Sequence, residues 1–166
     1  MTYLIVGLGN PDEQYKETRH NVGFKFIDAL AKEIKAGDFE LQKKLETAVA
    51  SGKFNNQKVI LAKPQTYVNK SGDAVKKIAK KYGLKPNEIL VVQDDLDIPF
   101  GNTKISFDKN SGGHKGVESI MQALKTKKFY RLRIGLAKPV LQKARQQSDK
   151  KRDEFVVKMV LSKFSP

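Results

Sequence analysis

The stretch YLIVGLGNPD, residues 3–12, decides the fold class of this chain. Its first six residues are an apolar run that ends in glycine-rich turn signals, a pattern typical of a buried strand. Apolar residues then recur at helical spacing from Val22 to Ile34, and Gly37 follows where a helix can end. A buried strand, a turn and an amphipathic helix in this order predict the first unit of an α/β domain.

The chain continues to alternate between strand and helix patterns. LETAVASGKF and KVILAKP flank Asn55-Asn56 and predict two paired strands. Ser71 is the expected N-cap of a helix that Gly83 ends. EILVVQ, residues 88–93, predicts another buried strand.

The next part of the sequence predicts two more strands with a helix between them. TKISF alternates like a strand with one exposed face, and an apolar helical stripe ends at Leu124. In RLRIGLA, residues 131–137, Arg131 and Arg133 are expected to face outward from a strand. We therefore expect a single α/β domain over residues 1–166, with a mixed, twisted β-sheet and helices on both faces.

Two further features are predicted near the C-terminal end. The segment QKARQQSDKKRDE, residues 142–154, resembles low-complexity sequence and predicts a mobile loop. Apolar residues at helical spacing from Val156 to Phe164 predict a last short helix.

Length and composition limit the classes of protein to consider. A chain of 166 residues is typical of one domain. The absence of cysteine excludes disulfides and thiol nucleophiles and argues against a zinc site. The first ten residues lack a basic segment and are too short to span a bilayer, so we expect neither a signal peptide nor a membrane segment. A reducing, cytoplasmic setting fits these features.

Net charge indicates the kind of partner. The chain has 32 basic and 18 acidic side chains, a net charge of +14, which favours a polyanionic partner over a small neutral substrate. Residues 125–152 hold eleven Lys or Arg and one acid, Asp149, so they contribute +10 of the +14. A solvated face with a flexible linker is the simpler interpretation, but so large a share of the excess favours phosphate binding.

Several common catalytic motifs are absent. GLGNPD begins like a dinucleotide-binding fingerprint, but the position of the third glycine is occupied by Asp12, so a nicotinamide cofactor is not expected. The sequence contains no Walker loop, no G-x-S-x-G elbow and no H-E-x-x-H motif. We predict a reaction that needs no cofactor.

Polar residues instead follow the predicted strands, where the ligand crevice of an open α/β sheet forms. These residues are Asn10, Asn69, Asp94, Asp95, His114 and Lys115. Each alone has a structural explanation as a turn or cap residue. Their shared position at successive strand–helix junctions predicts that one crevice collects them.

A histidine in KETRHNVGF, residues 16–24, adds a candidate base to this set. His20 alone is more often a structural residue at a helix start. With an ordinary pKa of roughly 6.5, however, an imidazole can take a proton near neutral pH. A carboxylate at its other nitrogen stabilises the imidazolium, and such help is worth about 10² to 10⁴ in rate. The set therefore predicts hydrolysis of an activated ester by water.

Five blocks of the sequence, in this order, resemble the signature blocks of the bacterial-type peptidyl-tRNA hydrolases. They are IVGLGNPDEQYKETRHNVGF, KPQTYVNKSG, QDDLDIPFG, SGGHKGVESI and FYRLRIGLAKP, which together span residues 4–139. The resemblance implies a monomeric α/β enzyme that cleaves the ester between a peptide and the 3′ end of tRNA. It also implies that no metal is needed and that tRNA is recovered from abandoned translation products.

The resemblance assigns roles by position. It implies that His20 is the general base, that Asp94 is its carboxylate partner and that Asn10 selects substrates whose amino group is blocked. It implies that Tyr15, Tyr67 and Asn69 line the site for the peptide and the terminal nucleotide. His114 and Lys115 are expected to contact the substrate as well. The basic segment 125–152 then binds phosphates of the acceptor arm.

The sequence departs from the family pattern at three places. Lys115 stands where the family usually has an asparagine that positions water and substrate, and Val68 replaces a common methionine. The chain stops at LSKFSP, where relatives usually continue into another helix, so we expect a domain without that helix.

Two other functions stay open at the level of sequence. Lys115 keeps open a non-catalytic, RNA-binding relative of the hydrolase. The acidic run Asp94, Asp95 and Asp97 keeps open a magnesium-dependent nuclease, since magnesium is commonly held by one or two carboxylates plus phosphates.

Overall fold

The computed structural model describes residues 1–137. The loop predicted over residues 142–154 and the helix predicted from Val156 to Phe164 lie outside the described residues. The strands are β1 (Thr2–Gly7), β2 (Glu40–Gln42), β3 (Thr47–Phe54), β4 (Gln57–Pro64), β5 (Ile89–Pro99), β6 (Thr103–Phe107) and β7 (Tyr130–Ala137). The α-helices are α1 (Val22–Glu33), α2 (Ser71–Tyr82) and α3 (Lys115–Leu124). None of the helices in this part of the chain is long and apolar enough to cross a membrane.

The strands form one seven-stranded sheet in the order β2-β3-β4-β1-β5-β7-β6. The central strand β1 is parallel to β4 and β5, and β7 is parallel to β5. The outer pairs β2–β3, β3–β4 and β6–β7 are antiparallel. The predicted mixed sheet is therefore confirmed, and the hairpin predicted at Asn55-Asn56 joins β3 to β4 with both residues at positive φ.

Helices cover both faces of the sheet, as predicted. Leu4 and Val6 of β1 are fully buried in the cluster that contains residues of α2 and α3. Ile5, between them, packs against the opposite cluster, which contains Ile27 and Ala31 of α1. The alternation along β1 places its side chains in both layers, so the opening strand forms the middle of the core.

Helix α1 approaches β1 and β5 at backbone distance because two glycines leave room. A Cβ atom on Gly7 would collide with the backbone oxygen of Gly23, and one on Gly23 would collide with the backbone oxygens of Leu8 and Val92. The absence of side chains at both positions lets the start of α1 lie against the sheet. This close approach brings His20, two residues before α1, to the end of the central strands.

Several predicted boundaries are corrected by tertiary pairing. Strand β5 continues to Pro99 rather than ending at residue 93, because Asp94 and Asp95 keep their pairing with β7 before a register shift. The three-residue strand β2 was not predicted, since so short a segment carries no alternation. Ser71 is the first residue of α2 rather than its N-cap, and its hydroxyl donates to the Val68 carbonyl at 2.7 Å.

The outward orientation predicted for Arg131 is wrong. Arg131 is 2% exposed and donates to the side-chain oxygen of Gln93 at 3.1 Å and to the carbonyl of Asn110 at 2.7 Å. Arg133 is partly buried, and its Nε donates to Asp95 Oδ2 at 2.7 Å. Both guanidinium groups form hydrogen bonds inside the fold, which allows them to be buried. Strand alternation alone does not reveal these partners.

Candidate active site

A cleft of about 1010 Å³ lies at the carboxyl ends of β1, β4 and β5. Seven of the eight predicted site residues line it: Asn10, His20, Tyr67, Asn69, Asp94, His114 and Lys115. They come from five separate segments of the chain, as expected for residues at successive strand ends. Tyr15 is not among the residues that line the cleft.

His20 and Asp94 meet at the base of this cleft. His20 lies in the one-turn helix Arg19–Asn21 before α1, and Asp94 is a buried residue of β5. The His20 Nδ1 atom is 2.8 Å from Asp94 Oδ1. The distance is that of a hydrogen bond, but Nδ1 has no aligned hydrogen-bond partner, so the contact is foremost an electrostatic one. The Nε2 atom is the ring nitrogen that this contact leaves open.

His114 contacts the same carboxylate oxygen from the other side. Its Nε2 atom is 2.8 Å from Asp94 Oδ1, and its Nδ1 atom accepts from the backbone N–H groups of Gly116 and Val117 at 3.1 and 3.3 Å. Because Nδ1 accepts, the proton of the neutral ring must be on Nε2, which donates to Asp94. His114 is therefore both the N-cap of α3 and a tether for Asp94, with both ring nitrogens occupied.

The glycines before His114 allow the turn that aims it. Gly112 and Gly113 adopt φ angles of 63° and 85°, a region that residues with a side chain rarely adopt. The turn lets the chain enter α3 directly after His114, with the His114 imidazole directed at the N–H groups that begin this helix. The SGGH sequence thus fixes the ring that holds Asp94.

The environment shifts the pKa values of His20 and Asp94 in opposite directions. Burial is the largest single influence and acts to lower the pKa of His20, but the negative charge of Asp94 and its hydrogen-bonding contact with the ring together outweigh burial, so the pKa is raised above its ordinary value. Burial acts to raise the pKa of Asp94, but His114 and His20 together hold it well below its ordinary range. The carboxylate is therefore ionised at neutral pH and favours a proton on His20.

The site is poorly suited to a metal ion. His20, Asp94 and His114 bring three potential ligand atoms within 4.8 Å of one another. A metal on His114 would need the lone pair of Nε2, which would move the ring proton to Nδ1 and against two backbone N–H groups. Asp95 is also engaged, because its two oxygens accept from Arg133 Nε and from the Asp97 backbone, each at 2.7 Å. These bonds argue against the magnesium-dependent nuclease.

Asn10 is held by a residue that the sequence analysis missed. The side chain of Asn21, which is 2% exposed, accepts from the Asn10 backbone N–H and donates to the Asn10 carbonyl, both at 2.8 Å. The Asn10 side-chain oxygen accepts from the Val68 backbone N–H at 2.9 Å. The amide Nδ2 is therefore the group that Asn10 presents to the cleft. The only sequence signal for Asn21 was its place directly after His20.

Tyr67 forms part of the rim of the cleft. It is 52% exposed, and its hydroxyl donates to Asp12 Oδ2 at 2.7 Å, which links the Asn69 turn to the loop after β1. The hydrogen bond to Asp12 comes first among the causes that raise the pKa of the Tyr67 phenol, and Tyr15 contributes to the shift. Tyr15 therefore lies near the rim rather than in the cleft.

Lys115 stands at the mouth of the cleft as the first residue of α3. Its side chain is 75% exposed, and its Nζ is 3.7 Å from Glu118 Oε2. An exposed pair at this separation contributes little to stability and does not immobilise the lysine. The ammonium group can therefore turn toward an anion in the cleft.

Comparison with known sequences gives a consistent result. A family model described as peptidyl-tRNA hydrolase matches residues 4–166. A curated relative of that name from Aquifex aeolicus is 46% identical over 164 residues, which cover 98% of this chain and 78% of the relative. A second, from a Sulfurihydrogenibium species, is 43% identical over 168 residues and covers 98% of this chain and 86% of the relative.

Comparison with solved structures agrees with the sequence matches. The crystal structure of peptidyl-tRNA hydrolase from Acinetobacter baumannii superposes with a TM-score of 0.86 at 34% sequence identity. The superposition covers 99% of this chain and 77% of the other. The likeness therefore extends well beyond the cleft.

The two roles of His114 can be separated by substitution. His114→Ala removes the α3 N-cap, which should lower the free energy of unfolding by about 0.5–2 kcal/mol. It also removes a donor from Asp94 Oδ1, so the carboxylate should attract a proton on His20 more strongly and the pKa of His20 should rise. NMR titration of the His20 ring and urea unfolding measure the two effects.

His114→Asn is the matched control, since its side-chain oxygen can replace Nδ1 as the cap but cannot reach Asp94. This variant should keep the stability of the parent and still show the raised pKa of His20. An unchanged His20 pKa in both variants would refute the tether.

Proposed function

The chain belongs to the peptidyl-tRNA hydrolase family, and we propose that His20 and Asp94 carry out its hydrolysis of peptidyl-tRNA by general-base catalysis. The observation that supports this assignment is the 2.8 Å contact between His20 Nδ1 and the buried Asp94 in a cleft large enough for a peptide and a terminal nucleotide. The substrate has a reactive ester, so one base and a water molecule suffice for the reaction.

In the proposed reaction, Nε2 of His20 takes a proton from water as the water oxygen attacks the ester carbonyl. The imidazolium that forms is stabilised by Asp94, whose lowered pKa keeps it ionised throughout. The tetrahedral intermediate collapses with cleavage of the bond between the carbonyl carbon and the ribose oxygen of the 3′-terminal nucleotide. The imidazolium returns its proton to that oxygen, which yields a peptide with a free carboxyl group and an intact tRNA.

Asn10 is the proposed selector for a blocked amino group. Its side-chain oxygen is held by the Val68 N–H, so only the amide Nδ2 is left to bind the substrate. An N–H donor at this point favours the carbonyl of a peptide bond over the ammonium group of a free aminoacyl-tRNA, which has no acceptor and carries positive charge. Asn21 acts through Asn10 by holding its backbone on both sides.

The remaining residues have supporting roles in this proposal. Tyr67 and Asn69 form the wall against which the peptide and the terminal nucleotide lie, and Tyr15 lies near Tyr67 at the rim. Lys115 supplies a positive charge near the developing oxyanion or the terminal phosphate. His114 acts as a positioning residue through Asp94, because its own nitrogens are already bonded.

The tRNA is the polyanionic partner that the net charge predicts. We propose that its acceptor arm and 3′ end are bound by a monomer of this chain, with residues 125–152 contributing phosphate contacts. Among the described residues of that segment, Lys125, Lys127 and Lys128 are exposed, while Arg131 and Arg133 are used inside the fold. A substrate made by translation places the reaction in the cytoplasm, where it recovers tRNA from abandoned products.

Substitution of His20 tests the proposed base directly. His20→Ala should reduce the kcat for release of peptide from peptidyl-tRNA by about 10²- to 10⁴-fold, because water loses its proton acceptor. Single-turnover release of labelled peptide measures the rate. Binding of tRNA and the urea midpoint should stay near those of the parent, and near-parent turnover in this variant would exclude His20 as the base.

The pH dependence follows from the raised pKa of His20. The base must be neutral, so kcat/KM should fall as the pH drops through a midpoint above 6.5. Asp94→Asn removes the attraction but leaves the burial, which should move this midpoint below 6.5 and lower the plateau rate. A pH profile of both proteins with the same substrate decides the point, and a midpoint that does not move would contradict the role of Asp94.

Lys115 can be tested by restoring the residue that the family pattern favours. Lys115→Asn supplies both a donor and an acceptor at the mouth of the cleft, so turnover should equal or exceed that of the parent. Lys32→Asn, on the exposed side of α1, controls for the loss of one positive charge. A large fall in kcat for the Lys115 variant alone would mean that the lysine has its own catalytic role.

A further inference from the structure

The outer surface of α2 carries four exposed lysines, and we propose that it is a docking surface for the double-stranded part of the substrate tRNA. The four are Lys76, Lys77, Lys80 and Lys81, here called the α2 lysine stripe. This inference rests on the proposed function, because it takes the RNA whose 3′ end occupies the cleft as the partner. It adds a surface on α2 to the phosphate contacts proposed for residues 125–152.

The distribution of charge along the chain singles out α2. Residues 70–85 hold six lysines and one acid, Asp73, a net charge of +5. The net charges of these residues and of residues 125–152, +5 and +10, together exceed the total of +14, so the rest of the chain has a net charge of −1. Residues 22–37, an equally long segment around α1, hold three lysines and two acids, a net charge of +1. Of these two helical segments, the one around α2 therefore carries the larger excess of positive charge.

The helix holds the α2 lysine stripe in a fixed arrangement. Ala74, Val75, Ile78 and Ala79 are buried, so the lysines that follow each buried pair are turned to solvent along a helix of twelve residues. A helix of this length extends about 18 Å, and side chains four positions apart are about 6 Å apart along its axis. Such spacing suits repeated binding to successive phosphates of a nucleic acid strand.

Among residues 1–137, an acid is paired with only one of the four lysines of the stripe. Lys77 pairs with Glu46 at 2.9 Å, and Lys81 donates to Gln42 at 2.7 Å. Among residues 1–137, no carboxylate lies within ion-pair distance of Lys76 or Lys80. Like charges four positions apart weaken a helix slightly, so this pair is an arrangement that an external anion would stabilise.

The stripe leads directly away from the cleft. Asn69 and Lys70 line the cleft and immediately precede α2, so the helix begins where the 3′ end of the RNA would lie. An arm of duplex RNA that continues from a 3′ end in the cleft can then follow α2 with its phosphates. The position of the stripe thus links it to the reaction rather than to an unrelated partner.

The chemistry of the surface favours RNA over an anionic membrane. A helix that binds a bilayer surface inserts large apolar side chains beside its basic ones. The exposed large hydrophobic residues among residues 1–137 lie elsewhere, and none belongs to α2. A surface with charge and no apolar anchor is the kind that binds phosphates through counterion release.

The test compares two substrates and two variants. The stripe variant is K76A/K80A, and the matched control is K32A/K35A, which removes the same charge from the α1 side. The substrates are full-length peptidyl-tRNA and a peptidyl ester of the trinucleotide CCA, which can occupy only the cleft. For the stripe variant, KM for peptidyl-tRNA should rise several-fold, with kcat and the kinetics of the CCA ester unchanged. The slope of log KM against log salt should fall by about 0.9 for each phosphate that the variant no longer binds.

The outcomes separate this inference from the proposed function. Equal KM values for the stripe variant and the control overturn the docking surface, as does an equal rise in KM with the CCA ester. Rescue by K76R/K80R supports it, because charge rather than helix stability is then the requirement. Failure of the parent to cleave either substrate refutes the proposed function. Binding of deacylated tRNA by the same variants then tests whether the α2 lysine stripe contacts RNA. A fall in affinity confined to K76A/K80A supports the docking surface.

Discussion

One carboxylate oxygen, Oδ1 of Asp94, organises the cleft because two imidazole rings converge on it. Asp94 is buried, and a buried carboxylate stays ionised only when hydrogen bonds or opposite charge compensate for lost hydration. His114 and His20 both provide that compensation, but they differ in what they can do afterwards. Both ring nitrogens of His114 are bonded, whereas His20 keeps Nε2 for chemistry. A shared oxygen therefore gives two histidines separate roles.

The backbone determines that this convergence happens. The N-terminus of α3 fixes the tautomer of His114 through two N–H groups. The close approach of α1 to the sheet at Gly7 and Gly23 places His20 at the end of the central strands. The reactive group is thus supported from one helix start and the carboxylate from another. Both supports depend on the main chain, so the site is held by rigid elements of the fold.

Catalysis and substrate binding are distributed differently over the molecule. The groups proposed to act on the ester occupy one cleft and are held by buried contacts, while the exposed lysines of α2 and Lys125, Lys127 and Lys128 lie outside that cleft. Buried arginines such as Arg131 contribute to the net charge but are already paired with protein groups. Net charge alone therefore overstates how much of the basic segment is available to RNA. The exposed lysines of α2 lie outside residues 125–152, and they were found by their exposure rather than by the charge of that segment.

The amino-acid sequence by itself determined the α/β class, the order of most strands and helices, and the set of polar residues at the strand ends. Local periodicity and turn chemistry encode these features, since each depends on residues close together in the chain. Only the tertiary structure decided that His114 tethers Asp94, that Asn21 holds Asn10 and that Arg131 turns inward. Each of these depends on a contact between segments that are distant in sequence, or on a buried bond that replaces hydration, and no local pattern carries that information.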